Sequence, residues 1–253
     1  MTHRTLTAAL AALLALALQS AGAADVSVVS AGAVEPGLRP VLAAFERASG
    51  HHVTLSFASA PQIRERIAGG TVCDVLIAPT GVLDELETMQ KIATDRSQRV
   101  SIGRVGIGVA VRPGAARPDV STPEAFTRAM NAAESLVFNR ASTGLYLDTL
   151  FRRLGIDVSG RSTRYPDGAS VMEHVLRGKG QEIGLGATTE ILLLQGQGLQ
   201  FVGPLPPELQ NFTTYVATPV RADAAEPARA LLHHLASAPS QATFVGAGID
   251  AAR

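Results

Sequence analysis

The fold of this chain is decided by residues 25–37, which read DVSVVSAGAVEPG. The β-branched pattern of Asp25–Ser30 predicts a strand. The helical spacing of apolar residues after Gly37 predicts a helix over Leu38–Ala48, which ends at Ser49-Gly50. The small residues between the two elements predict a tight turn that holds the start of the helix close to the end of the strand. Free backbone N–H groups and the helix dipole favour an anion at such a place.

Strand and helix signals alternate along the rest of the chain. The predicted strands are Val53–Phe57, Val75–Ile77, Val100–Val111, Leu136–Phe138, Ile183–Gly186, Gln200–Val202 and Thr213–Thr218. The predicted helices are Gln62–Ala68, Val82–Gln90, one that opens at Thr122-Pro123, then Gly144–Leu154, Ala169–Arg177, Thr188–Leu194 and Ala224–Ala236. This repeated order predicts an α/β fold of largely parallel sheets covered by helices.

The segment before the first strand has the pattern of an export signal. His3 and Arg4 precede an apolar run of Leu and Ala, and small residues follow at 21–24. The apolar run is shorter than the roughly 20 residues that a membrane-spanning helix needs. We therefore predict a signal peptide over residues 1–24, cleaved near Ala23 or Ala24, and a protein located in the periplasm.

Composition narrows the classes of function. The chain has 22 basic and 22 acidic residues. It therefore lacks the excess of positive charge that is typical of nucleic-acid-binding proteins. The single cysteine, Cys73, excludes an intramolecular disulfide and lies in an apolar stretch, so we predict a buried core residue. The six histidines form no metal-binding pattern, and no nucleotide-binding or nucleophile motif is present. We predict no metal, no cofactor and no nucleic-acid partner, and a monomer.

Several runs together resemble a known family. They lie at the first strand and its turn, on the following helix, and at the ends of later strands: residues 28–34, 42–50, 53–59, 67–70, 74–78, 142–146 and 183–186. Over these runs the chain resembles type 2 periplasmic solute-binding proteins, and it is most similar to the periplasmic molybdate-binding branch.

The resemblance implies two lobes, each a mixed, mostly parallel sheet flanked by helices, with the ligand cleft between them. We assign residues 25–105 to lobe I, residues 106–212 to lobe II, and residues 213–253 to the return into lobe I. It also implies an extracytoplasmic binding protein that delivers a solute to an ABC permease in the inner membrane.

The resemblance further implies an oxyanion held by serine hydroxyls, backbone N–H groups and a tyrosine. Here the serine position is Ala33 and the tyrosine position is Ala187, and the second loop keeps one hydroxyl in Ser59-Ala60-Pro61. The ligand is therefore left open between a molybdate-like oxyanion and a small organic carboxylate.

The candidate ligand-binding residues stand where a strand runs into a helix. Arg140 is included as a bidentate clamp for a carboxylate, and Thr188 as a donor in place of the missing tyrosine. Glu35 is expected to point to solvent from the first turn of its helix. The full set is Gly32, Ala33, Ser59, Ala60, Arg140, Thr143, Gly168 and Thr188.

Three functions fit this sequence. The first is a non-enzymatic binding protein for a small anion. The second is an isomerase on the same scaffold, similar to aconitate isomerases, which moves a proton within a tricarboxylate with Glu35, Asp167 or His174 as the base. The third is a ligand-sensing partner of a membrane receptor.

Overall fold

The computed structural model of the protein describes residues 23–93 and 95–251. The predicted signal peptide falls almost wholly outside these residues and stays a prediction. Within the described ranges, no helix has the length and apolar character that crossing a membrane requires.

The chain alternates strands and helices as predicted. The strands are β1 (Asp25–Ala31), β2 (His52–Ala58), β3 (Val75–Pro79), β4 (Val100–Val105), β5 (Ile107–Val111), β6 (Ser135–Asn139), β7 (Ser162–Tyr165), β8 (Glu182–Ala187), β9 (Gln200–Pro204) and β10 (Thr213–Pro219). The helices are α1 (Glu35–Ser49), α2 (Ala60–Ala68), α3 (Thr80–Thr88), α4 (Pro123–Ala132), α5 (Ser142–Leu154), α6 (Gly168–Arg177), α7 (Thr188–Gln195), α8 (Glu226–Ala236) and α9 (Ala238–Gly246). Short 3-10 turns lie at Gly32–Val34, Arg96–Gln98 and Pro207–Leu209.

The strands form two mixed five-stranded sheets, which confirms the predicted fold class. The first sheet has the order β2-β1-β3-β10-β4, and the second has the order β7-β6-β8-β5-β9. In the first sheet β1 is parallel to β2 and β3, whereas β10 is antiparallel to both of its neighbours. In the second sheet β6 is parallel to β7 and β8, whereas β5 is antiparallel to β8 and β9.

The chain passes between the sheets at two adjacent places. Residues 100–111, predicted as one strand, are broken at Gly106, so that β4 lies in the first sheet and β5 in the second. The return passes through residues 205–212. There the side-chain amide of Gln210 accepts from Ile107 N–H at 2.8 Å and donates to the Ile107 carbonyl at 2.9 Å. This side chain joins the two crossing segments as a backbone hydrogen-bonded pair would.

Helix α1 shows how the sequence pattern produces the core. Its apolar stripe, Leu38, Val41, Leu42 and Phe45, is buried against the first sheet, and each such side chain contributes roughly 1.5–3 kcal/mol of transfer free energy. The helix ends where Gly50 takes a left-handed conformation with φ of 73°. Cys73 is buried in the same core, as predicted, and burial raises the pKa of its thiol to about 11.

Candidate functional site

A cavity of about 310 Å³ lies between the two sheets. It is bounded by the carboxyl ends of strands from both sheets and by the starts of the helices that follow them. In open α/β folds this edge is the usual place for a ligand, because backbone N–H groups and helix dipoles point into it.

The first sheet contributes two strand-to-helix turns to the wall. Gly32 and Ala33 form the turn after β1, and Ser59 and Ala60 form the turn after β2. The amide oxygen of Gln62 accepts from the Ser59 N–H at 2.9 Å and from its hydroxyl at 3.0 Å. This contact fixes the start of α2 at the cavity.

The second sheet contributes the starts of α5 and α6. The Oδ1 atom of Asn139 accepts from the N–H groups of Ala141 at 3.0 Å and Gly144 at 2.9 Å. The residues between them, Ser142 and Thr143, line the cavity. The first N–H groups of a helix have no partner within it, so this turn presents donors to a ligand.

Helix α6 starts in the same way. Asp167 caps it, because its Oδ1 atom accepts from the Ser170 N–H at 2.8 Å. Both residues, together with Gly168 and Ala169, belong to the cavity wall.

The structure brings most of the predicted site residues together. Six of the eight candidates lie in the cavity wall: Gly32, Ala33, Ser59, Ala60, Thr143 and Gly168. The remaining two, Arg140 and Thr188, are not part of the wall.

The predicted roles of Arg140 and Thr188 are corrected by their contacts. The Arg140 side chain is exposed, while its backbone N–H donates to the Tyr165 carbonyl at 2.8 Å. Arg140 is thus not one of the residues that line the cavity, where a carboxylate clamp would have to lie. The Thr188 hydroxyl donates to the Gly106 carbonyl at 3.1 Å, so it holds the crossing segment instead of a ligand.

The structure does not support the prediction that Glu35 points to solvent, away from the cleft. It lines the cavity, and its side chain is 23% exposed. Arg39, one helical turn later, donates from Nε to the Glu35 carboxylate at 2.5 Å. This ion pair holds the Glu35 carboxylate in the cavity wall.

Glu190 is the main site residue that the sequence reasoning missed. It lies in the first turn of α7, and its carboxyl group packs against the Cα atom of Gly168, in the space that a β-carbon there would fill. Burial raises the pKa of Glu190 to about 7; a hydrogen bond with the backbone of Ala187 opposes the rise, and the charges of Asp167 and Glu35 add to it.

Tyr215 on β10 was also missed. It lines the cavity and is buried, and burial together with the nearby Glu190 raises the pKa of its hydroxyl. The resemblance implied a tyrosine at the position of Ala187. Here Ala187 and Tyr215 both lie in the wall, so the wall does contain a tyrosine, but it comes from strand β10.

The charge of the wall is acidic. Its carboxylates are Glu35, Asp167, Glu173 and Glu190, and among the described residues that line the cavity there is no lysine, arginine or histidine. A negatively charged ligand in this cavity would therefore have to be held by backbone N–H groups, hydroxyls and helix dipoles. Nor do three or more His, Cys, Asp or Glu residues group to hold a metal ion within the described ranges.

The profile of the bacterial extracellular solute-binding protein family matches residues 26–250. The chain belongs to this family. An aconitate isomerase from Pseudomonas sp. is 32% identical over 233 residues, which cover 88% of this chain and 86% of that protein. This solute-binding family member therefore has an enzyme among its relatives.

Solved structures agree with the family at the level of the fold. The periplasmic molybdate-binding protein of Azotobacter vinelandii superposes with a TM-score of 0.73 at 17% identity, over 90% of this chain and all of that one. The tungstate ABC transporter structure from Geobacter sulfurreducens gives a TM-score of 0.66 at 12% identity, over 88% of this chain and 98% of that one. The predicted type 2 solute-binding fold, close to the molybdate-binding branch, is confirmed.

Proposed function

We propose that this chain is an exported binding protein that captures a small organic anion in its cleft and delivers it to an ABC permease. The observation that carries the proposal is the convergence of the turn after β1 and the starts of α2, α5 and α6 on one cavity between the sheets. Each offers backbone N–H groups to a negatively charged oxygen.

The size and walls of the cavity favour an organic acid over a tetrahedral oxyanion. Its volume of about 310 Å³ falls within the range of roughly 300–1,000 Å³ that is usual for pockets that hold small organic ligands. Ala33 and Ala187 provide no hydroxyl groups, and Phe57, Pro79 and Tyr215 add carbon surface. A carbon skeleton can pack on these groups while its carboxylates meet the helix starts.

This function is tested by a binding screen of the mature protein. We expect fumarate, tricarballylate or an aconitate isomer to raise the stability by about 2.7 kcal/mol at a concentration 100 times its dissociation constant, and molybdate and sulfate at that same concentration to raise it less. Thermal shift gives the ranking, and calorimetry gives the dissociation constants. A response to molybdate and tungstate alone would contradict the organic-acid proposal, and no response at all would contradict anion capture.

A second candidate function is isomerisation of an unsaturated tricarboxylate. It is favoured by the 32% identical aconitate isomerase and by Glu190, a carboxyl group in the cavity with a pKa near neutrality. Such a group can accept and return a proton at neutral pH, as general acid–base catalysis requires. Of the bases predicted from sequence, Glu35 is paired with Arg39, Asp167 caps a helix, and His174 bonds to Tyr165 and Glu182.

The reaction needs no oxidant and no cofactor. The ionised Glu190 carboxylate removes a proton from the methylene carbon, and the C–H electron pair forms a double bond to the adjacent carbon. The original double bond shifts its pair to the far carbon, which takes the proton back from the Glu190 carboxylic acid. The base is then regenerated, and the product is an isomer of the substrate.

An NMR assay of cis- and trans-aconitate interconversion tests this candidate. If it holds, Glu190→Gln should lower kcat/KM by about 100-fold or more, because the amide cannot accept the proton. Glu208→Gln, an exposed carboxylate outside the cavity wall, serves as the control and should keep the wild-type rate. Binding of aconitate without interconversion would leave the protein a binding protein.

A further inference from the structure

We propose that the cleft captures its anion together with one proton, which is held on the carboxyl group of Glu190. This inference rests on the proposed binding function and adds a feature that the ligand must satisfy. Glu190 is thereby a specificity-determining residue, because its carboxyl group donates a hydrogen bond to the ligand instead of repelling it.

The first step is where the carboxyl group lies. Built β-carbons at Gly32 and Gly186 would each stand 3.7 Å from one of its oxygens, and one at Gly168 would overlap it. Gly32 belongs to the turn of the first sheet, whereas Gly168 and Gly186 belong to the second sheet and its helix. The carboxyl group therefore lies at the junction of the lobes, in the same wall as the helix starts.

The second step is the set of charged groups that face it. Glu35 is held by Arg39 at 2.5 Å, and Asp167 is held by the first turn of α6. Glu173 lies at the rim, 56% exposed, with Arg177 at 3.8 Å. Tyr215 faces the same wall with a neutral hydroxyl.

Glu190 has no such cationic partner. Among the described side chains that line the cavity there is no cation to neutralise it, and Glu35 and Asp167 both oppose its ionisation. An anionic ligand beside an ionised Glu190 would place two like charges together in a partly enclosed space, which disfavours the charged form further. Protonation of Glu190 removes its own repulsion of the ligand and supplies an O–H donor.

The proton is available under ordinary conditions. With a pKa of about 7 in the empty cleft, the carboxyl group is about half protonated at neutral pH. If only the protonated form binds, the apparent affinity follows the protonated fraction, and it falls about ten-fold between pH 6 and pH 8.

Calorimetry in buffers of different ionisation enthalpy counts the protons directly. Fumarate serves as the probe over the whole range because both of its carboxyl groups are largely ionised at pH 5.5 and above. Trans-aconitate serves only between pH 7 and pH 8, where its third carboxyl group is also ionised. We expect uptake close to zero at pH 5.5, where Glu190 is already protonated, and close to one proton per ligand at pH 8. This measurement uses the wild-type protein and requires no variant.

Two variants and a control locate the proton. Glu190→Gln should bind with an affinity that does not vary with pH and should take up no proton. Asp167→Asn keeps a good helix cap but removes a charge that raises the Glu190 pKa. The affinity of this variant for the ligand should therefore begin to fall at a lower pH than that of the wild type. Glu208→Gln should retain the wild-type profile.

The failure of this inference can be distinguished from the failure of the proposed function. Tight binding with no proton uptake at pH 8, or the same pH dependence in Glu190→Gln, would overturn this inference while leaving anion capture intact. Binding without uptake that is accompanied by turnover of aconitate would overturn it in favour of an ionised base. A wild-type protein that binds none of the probes would overturn the proposed function itself.

Discussion

Glu190→Gln is expected to make the empty protein about 2 kcal/mol more stable at pH 8 and to change its stability little at pH 4.5. Burial raises the pKa of Glu190 from 4.5 to about 7, which corresponds to about 3 kcal/mol for a fully enclosed group. Cleft water screens part of this, since Glu190 is half-buried.

The sign follows from proton linkage. Between pH 4.5 and 7 the folded state holds a proton on Glu190 that the unfolded chain has released. Wild-type stability is therefore lost as the pH rises through this window and stays lower above it. A glutamine has no charge to bury and escapes this loss.

Urea unfolding at a series of pH values between 4.5 and 8 measures the effect. The difference between Glu190→Gln and wild type should grow with pH and level off above pH 7. Glu208→Gln, which removes an exposed carboxylate, is the control and should track the wild type. A stability difference that is constant across the series would contradict an uncompensated carboxyl group in the cleft.

Much of the fold could be predicted because burial imposes periodicity on the sequence. The apolar stripe of α1 and the β-branched run of β1 indicate which faces of these elements are buried in the core. The small residues between them indicate the turn. Two elements lack such a signal. Strand β7 reads Ser-Thr-Arg-Tyr and is half-buried at a sheet edge, and α9 has a weak apolar stripe after the Ser237 cap.

The candidate site was predictable only where it is built from local turns. Gly32 and Thr143 each follow a strand end, so the chain itself indicates their position. Glu190 lies in an ordinary helix start, and nothing nearby in sequence shows that Gly168 leaves room for its carboxyl group. Arg140 lies in sequence between two residues of the wall, Asn139 and Ala141, but its own side chain is exposed and is not part of the wall. These outcomes depend on contacts between distant segments.

Gly144→Ala is expected to cost about 3 kcal/mol of stability and to weaken anion binding at least ten-fold. Gly144 is buried at the start of α5, and a β-carbon there would stand 2.7 Å from the carbonyl carbon of Asn139 and closer still to its oxygen. That carbonyl accepts from the Arg164 guanidinium at 3.1 and 3.2 Å, so it cannot easily move away.

The helix start must move instead, which has two consequences. The hydrogen bond from the Gly144 N–H to Asn139 Oδ1 is lost, and Ser142 and Thr143 shift in the cavity wall. Stability and binding therefore fall together, because one close approach holds both the cap and the wall.

Gly81→Ala is the matched control. Gly81 lies in the first turn of α3, exposed, with no atom within 4 Å of a built β-carbon. Alanine should stabilise this helix by less than about 0.5–1 kcal/mol, the value for a helix interior, and leave binding unchanged. Urea unfolding gives the stabilities, and calorimetry with the tightest anion of the screen gives the affinities. If the two variants unfold at the same urea concentration, the close packing of α5 on Asn139 is not what fixes this wall of the cleft.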